Sequence, residues 1–347
     1  MATAKSGAAV GLQVGVGPQG QLPLPWLKAP LAASASLAQA HGLLLHGPAG
    51  VGHLEMALLL AQWALCEAPP DQRQVQPCGH CASCHLVATR IHPDLLLVIP
   101  EALRVQLGWV DDEDSKLNKA DAKPSRELKV EQVRQAIAWG QQTSGRGRGK
   151  VLVVHPADAL NTVAANALLK TLEEPPGQLR LLLTSADPER LLPTVRSRCQ
   201  KLAMRLPDEQ EALAWLRAQG VAQPDSLLAV AGGSPLEALA WAHEGLTHEW
   251  LSEFPRRTAR GDASPLSGRP IPRVVDLLLK VSLDAQCLAA GGQARFFPTA
   301  TWPDKASAAA LRVWQQQLVR AARHDEHAWN AGLLIESLVG GAKAVWA

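Results

Sequence analysis

Four cysteines stand close together in the chain, Cys66, Cys78, Cys81 and Cys84, with the spacing C-x11-C-x2-C-x2-C. Thiolates separated by two residues in a turn can share one tetrahedral Zn²⁺, each at about 2.3 Å. Cys66 would bring the fourth sulfur from the end of the preceding helix. A closed four-thiolate shell leaves no open position, so such a metal is structural. Reduced free thiols, or a shell completed by His80 or His85, are the alternatives.

A second candidate is the run Gly47-Pro48-Ala49-Gly50-Val51-Gly52-His53-Leu54. It has the framing glycines of the phosphate-binding pattern GxxxxGK[ST], placed between an apolar run and a helical one. The lysine that reaches the β- and γ-phosphates is replaced by His53. The hydroxyl that ligates Mg²⁺ is replaced by Leu54. A mostly neutral imidazole gives no permanent charge, and leucine cannot bind a hard cation. Any remaining affinity for phosphate would come from a nest of backbone amides.

A third candidate is cationic: Pro188–Arg198 carries Arg190, Arg196 and Arg198 and ends at Ser197-Arg198-Cys199. Its setting is the stretch Lys150–Cys199. Val151–Val154 is a continuous apolar run, as a strand buried on both faces requires. Val163, Ala167, Leu168 and Leu172 then recur at helical spacing until Pro175-Pro176 stops the helix. Leu181–Thr184 is the next strand. The three make a βαβ unit with a right-handed crossover. The words NALLKTLEEPP, DPE and SRC, in this order, resemble the ATPase-like subunits of bacterial sliding-clamp loaders.

That resemblance implies an α/β, AAA+-like parallel-sheet domain at 23–207, with a four-cysteine zinc module at 66–84 and a charged insert at 102–127. A three-helix lid at 208–262 and an all-α oligomerisation collar at 270–347 would follow, behind a flexible tail at 1–22. It covers about Pro23 to Trp346, strongly over Gly42–Gly52 and Lys150–Cys199. In the family the cysteine module follows the first helix of the sheet domain, with a shorter first interval than the eleven residues here. In working members the strand before the helix is followed by Asp-Glu, one acid for Mg²⁺ and one for water. Here His155-Pro156 follows it, and Asp158 lies off register. The lid arginine of a Gly-Ser-x-Arg pattern is missing from Gly233-Ser234-Pro235-Leu236.

Three positions have lost their chemistry, while the family's trans-acting arginine is kept as Arg198. The pattern is similar to the non-hydrolysing wall subunit that closes one end of the loader ring. The resemblance implies a pentamer with gamma/tau and delta subunits, an arginine finger donated to a neighbour's ATP, and loading of a sliding clamp onto primed DNA within a polymerase holoenzyme. No nucleotide would be held in its own site. The rival enzyme reading is a gamma/tau-type ATPase with divergent motifs; a free-standing zinc module for nucleic acid is another. An arginine merely paired with a local carboxylate such as Glu189 is the bland alternative for Arg198.

Composition sets the bounds. A chain of 347 residues with 47% hydrophobic and 19% charged content suits two or three folded domains. A net charge of +2 gives no general attraction to nucleic acid, so any contact would be a local patch such as Arg146, Arg148 and Lys150. No apolar run reaches the eighteen or so residues of a membrane span, and the first residues lack a signal peptide's order. Six cysteines without such a signal fit reduced thiols or metal and a cytoplasmic setting. Cys199 and Cys287 read as packed residues, as do Trp215 and Trp314. His92 and the Glu173-Glu174 pair read as structural, the latter exposed or salt-bridged, with Lys170 on the same helix face. Eleven tryptophans and no tyrosine have no physical account.

Overall fold

The computed structural model describes residues 13–37, 39–69, 71, 76–109, 124–298, 302–303, 306–323 and 330–346. These fall into two compact units, residues up to 208 and from 209 onward. Most of the charged insert expected at 102–127 lies outside the described residues, although its start lies within a short helix, Glu101–Gln106.

The first unit is built on five parallel strands: β1 (Gly42–His46), β2 (Leu95–Val98), β3 (Lys150–Val154), β4 (Leu179–Ser185) and β5 (Gln200–Ala203). Their order across the sheet is β2-β3-β4-β1-β5. Leu44 lies beside Leu183 of β4 and Lys201 of β5, and Leu152 beside Leu96 and Leu181. Parallel strands need covered faces, and the apolar runs read from the sequence supply them. Numbered in chain order, the helices of this unit are α1 (Lys28–Ser34), α2 (His53–Leu65), α3 (Ala82–Ala88), α4 (Glu101–Gln106), α5 (Val130–Gly140), α6 (Thr162–Glu173) and α7 (Pro193–Ser197). One apolar cluster joins Leu44, Leu152, Val154, Leu181 and Leu183 to Val133 and Ala136 of α5 and to Ala164, Leu168 and Leu172 of α6. Helix α2 is buried nearly all round, with only Trp63 and Ala64 partly exposed. The parallel α/β sheet expected of an AAA+-like domain is present.

Residues 13–22 are not the loose tail that their composition suggests. Val14 and Val16 are buried, and the Val16 amide donates to Gln62 Oε1 at 2.7 Å. Gln62, fully buried in α2, donates in turn to the Cys84 carbonyl at 3.1 Å. A buried amide side chain has to be satisfied, and here the N-terminal segment satisfies it.

The second unit is helical: α8 (Glu209–Ala218), α9 (Pro224–Val230), α10 (Pro235–His243), α11 (His248–Ala259), α12 (Ile271–Ala289), α13 (Ala308–Arg323) and α14 (Ala331–Lys343). One core runs from Ala212 to Val345 and contains Trp241, Phe254 and Trp314. The Trp314 indole donates to the Leu338 carbonyl at 2.8 Å, so this tryptophan is a core residue. The run at 255–272 is rich in Pro, Gly, Ser and Arg, a composition suited to a linker, yet α11 continues through Pro255 to Ala259. Pro255 sits inside α11, buried beside Phe254, where core packing outweighs one missing backbone donor.

Candidate functional site

The glycine-rich loop leaves β1 at its C-terminal end and enters α2 at Gly52, which adopts φ 95° as the helix N-cap. A Cβ on Gly47, at φ 154°, would come within 1.9 Å of the Met204 carbonyl oxygen. One on Gly52 would meet Leu24 Cδ1 at 2.4 Å. Both framing glycines therefore serve this chain's own packing.

The residues that replaced the phosphate ligands have turned inward. Leu54 is buried, and so is His53, whose Nε2 has no partner among the described residues. Burial, helped by the nearby His46, draws His53 down to about 4. His155 follows β3, where an acid pair would carry Mg²⁺ chemistry. Its Nδ1 lies 2.6 Å from Thr184 Oγ1, and burial with the neighbouring His53 draws it to about 3. Asp158 lies in the turn beyond, with its Oδ1 buried and unpartnered among the described residues. Glu55 is buried in the first turn of α2, and burial raises its carboxyl to about 7. Two buried neutral imidazoles, with a buried acid whose charge is disfavoured, are poor partners for Mg²⁺ against a triphosphate.

These shifts fix a pH dependence. Both histidines sit below their usual 6.5 when folded. The stability of their neutral forms is present above about pH 6.5 and is lost as pH falls toward 4 and 3. Glu55 acts in the opposite sense: its contribution is present below its usual 4.5 and is lost as pH rises through 7. Between pH 6.5 and 4.5 the histidines win by about one proton, or about 1.4 kcal/mol per pH unit. The double variant His53→Gln, His155→Gln is expected to lose this acid limb. Urea midpoints between pH 7 and 4.5 measure it, and acid limbs of equal slope in the two proteins would contradict it.

The four cysteines converge as their spacing suggests. Their sulfurs all lie within 4.8 Å of one another, with Cys66 to Cys81 at 4.0 Å and Cys78 to Cys84 at 3.8 Å. A tetrahedron with metal–sulfur bonds of about 2.3 Å has edges of about 3.8 Å. Cys66 follows the last residue of α2, and Cys81 is the N-cap of α3. Backbone amides point at three of the sulfurs: Cys78 N to Cys66 at 3.5 Å, Cys81 N to Cys78 at 3.4 Å and Cys84 N to Cys81 at 3.4 Å. Such donors stabilise thiolate charge. His80 turns to the Cys78 carbonyl at 2.8 Å instead. No cysteine is in a disulfide, and no other group of three or more metal-ligating side chains occurs among the described residues. The residues fit a four-coordinate thiophilic metal.

The neighbouring basic loop is tied to this module. Asp94, fully buried, accepts from the Gly145 amide at 2.7 Å, the Arg146 amide at 2.9 Å and Ser144 Oγ at 3.0 Å. Arg146 pairs with Glu67, one residue past Cys66, at 2.7 Å. Lys150 is buried between Asp94 at 3.5 Å and the Trp139 ring at 4.1 Å. His92 Nε2 lies 3.0 Å from Ser83 Oγ. All three cations expected in a nucleic-acid patch thus have partners within the protein, Arg148 through Nη2 to the Glu67 carbonyl at 3.3 Å.

Arg198 lies at the surface after α7, its side chain 32% exposed. Its Nε donates to Glu173 Oε1 at 2.6 Å, Nη2 contacts the same oxygen, and Nη1 donates to the Thr194 carbonyl at 2.9 Å. Glu189 pairs with Arg196 instead. Sequence reasoning missed Glu173 as the partner. The available signal was two acids at the C-terminal end of a helix, where the dipole disfavours them.

A family model described as "DNA polymerase III, delta subunit" matches residues 31–208, about half of the chain. The chain belongs to this family. Among the relatives, "DNA polymerase III subunit delta'" of Pseudomonas aeruginosa is 37% identical over 230 residues. That match takes in 65% of this chain and 63% of the relative. The Escherichia coli K12 protein of the same name is 34% identical, over 62% and 60% of the two chains. The "DNA polymerase III subunit tau" of Escherichia coli K12 is 29% identical over 72% of this chain and 33% of its own length. The chain thus matches about three fifths of the length of its delta-prime relatives. Among the described residues no helix is long and apolar enough to cross a membrane.

Proposed function

We propose that the chain is a non-hydrolysing wall of a clamp-loader ring, donating Arg198 to the ATP held by a neighbouring gamma/tau subunit. One contrast carries this reading. At the glycine loop the side chains that should meet phosphate are apolar or neutral and buried, whereas Arg198 is partly exposed with N–H donors left over. Arg198 lies by Gly42, at the opposite end of β1 from the inert glycine loop, so a cation offered outward there is placed for a phosphate bound elsewhere. Arginine fingers of this kind stabilise charge on the transferring phosphoryl group.

Around that role, residues 208–262 serve as a lid and 270–347 as the collar that joins gamma/tau and delta subunits into a pentamer. The assembled ring opens a sliding clamp and places it on primed DNA in the cytoplasm. Cys66, Cys78, Cys81 and Cys84 hold structural Zn²⁺, which takes no part in the chemistry. What the relatives' names say of polymerase III supports this reading, as does the retained Ser-Arg-Cys word.

Titration of the purified chain with Mg-ATP tests it. No saturable binding is expected up to millimolar nucleotide. Micromolar binding, with hydrolysis abolished by His53→Ala, would instead favour a gamma/tau-type ATPase. Tight DNA binding by the lone chain, falling steeply with salt, would favour a nucleic-acid module.

A further inference from the structure

We propose that Glu173 is a positioning residue for Arg198, clamping one edge of its guanidinium so that the remaining donors face the neighbouring subunit's phosphate. The inference rests on the reading of Arg198 as a donor in trans.

A guanidinium carries five N–H groups in a fixed plane. Here Nε and Nη2 share Glu173 Oε1, and Nη1 donates to the Thr194 carbonyl. That leaves two N–H groups, one on each terminal nitrogen, uncommitted among the described residues. Two terminal donors suit the paired oxygens of a phosphate. The anchors come from two rigid elements, the last residue of α6 and the first turn of α7. With one edge held by the carboxylate and one terminal nitrogen by the carbonyl, the long arginine side chain has little rotamer freedom left.

Local stability does not explain Glu173. An acid in the last turn of a helix faces the negative end of the macrodipole, and Glu174 follows it immediately. The pair is also too exposed to matter much for folding, since the Glu173 side chain is 47% accessible. Its effect is directional. Glu173 fixes where a permanent cation points while remaining outside the reacting atoms itself, and a catalytic group displaced by about 1 Å can lose as much as 10²-fold in rate.

The test is steady-state ATP hydrolysis by the reconstituted loader with clamp and primed DNA, using Glu173→Ala, Glu173→Gln and Glu173→Asp. Glu173→Ala is expected to lower kcat about tenfold with unchanged KM for ATP, unchanged assembly and an unchanged melting temperature. Glu173→Gln, which keeps one acceptor oxygen, should fall between that variant and the wild type, and Glu173→Asp should recover part of the rate. In an Arg198→Ala background Glu173→Ala should add nothing. If Arg198→Ala abolishes stimulated hydrolysis while Glu173→Ala leaves kcat untouched, the positioning role is wrong and the donor role stands. If Arg198→Ala is itself silent, both are wrong. A loss of assembly or melting temperature in Glu173→Ala that parallels the loss of rate would make the residue merely structural.

Discussion

Replacing Arg198 with alanine is expected to reduce DNA- and clamp-stimulated ATP hydrolysis at the adjoining site by roughly 10³-fold or more, the scale on which such fingers act. The substitution removes a permanent charge aimed at the transferring phosphoryl group, so the loss belongs in kcat, with little change in KM. Stability should hardly move. Arg198 and Glu173 form a partly exposed pair, and such pairs contribute at most about 1 kcal/mol. Arg198→Lys is expected to recover only a small part of the rate. A lysine brings the charge but cannot engage Glu173 along two nitrogens while offering two more N–H groups outward. A ring has several nucleotide sites, so the measurement should isolate the one beside this chain, for instance with the other sites blocked by phosphate-loop substitutions. Wild-type turnover at that site in Arg198→Ala would remove the residue's assigned role and with it the proposed place of the chain in the ring.

Elements whose cause is local could be read from the sequence. Val151–Val154 and Leu181–Thr184 are apolar runs too short for helices, and both are strands in the sheet. The helix between them ends before Pro175-Pro176 because those residues leave it no alternative. The substituted phosphate loop could be read because His53 and Leu54 differ chemically from lysine and a hydroxyl wherever their side chains point. Pairings between distant segments could not be read. Arg198 meets Glu173, 25 residues upstream, because α6 and α7 pack together, whereas nearby Glu189 is taken by Arg196. The cations of the loop at 144–150 meet Glu67 and Asp94 only through the folded sheet domain. Order at Val14 and Val16 was hidden for the same reason. A short strap without periodicity carries no signal of its own, and its partner, Gln62, lies 46 residues away from Val16.

The cysteine centre gives the other large expected effect, on the fold. Protein purified without chelator is expected to carry one equivalent of Zn²⁺, and Cys84→Ser to carry almost none. Cys84 is buried, 3.8 Å from Cys78, and its backbone is tied through Gln62 to the strap at Val16. The cluster has almost no apolar core of its own: among the described residues, Ala68 is its only buried apolar residue besides Cys66 and Cys84. A module so small is expected to depend on its metal, since structural zinc sites supply about 10–16 kcal/mol of apparent binding energy in isolated peptides. Here the module is also tied to α2 through Gln62, so unfolding should stay local at first. The loss should reach the loop at 144–150, because Arg146 holds Glu67 and Ser83 on the module side. Metal analysis gives the stoichiometry, and amide exchange at 78–88 and 144–148 shows how far the disorder spreads. His80→Ala should retain full metal, since that imidazole is turned to a backbone carbonyl. Native protein without bound metal, whose four thiols all react at once with a thiol reagent, would show that the cluster is held by packing alone.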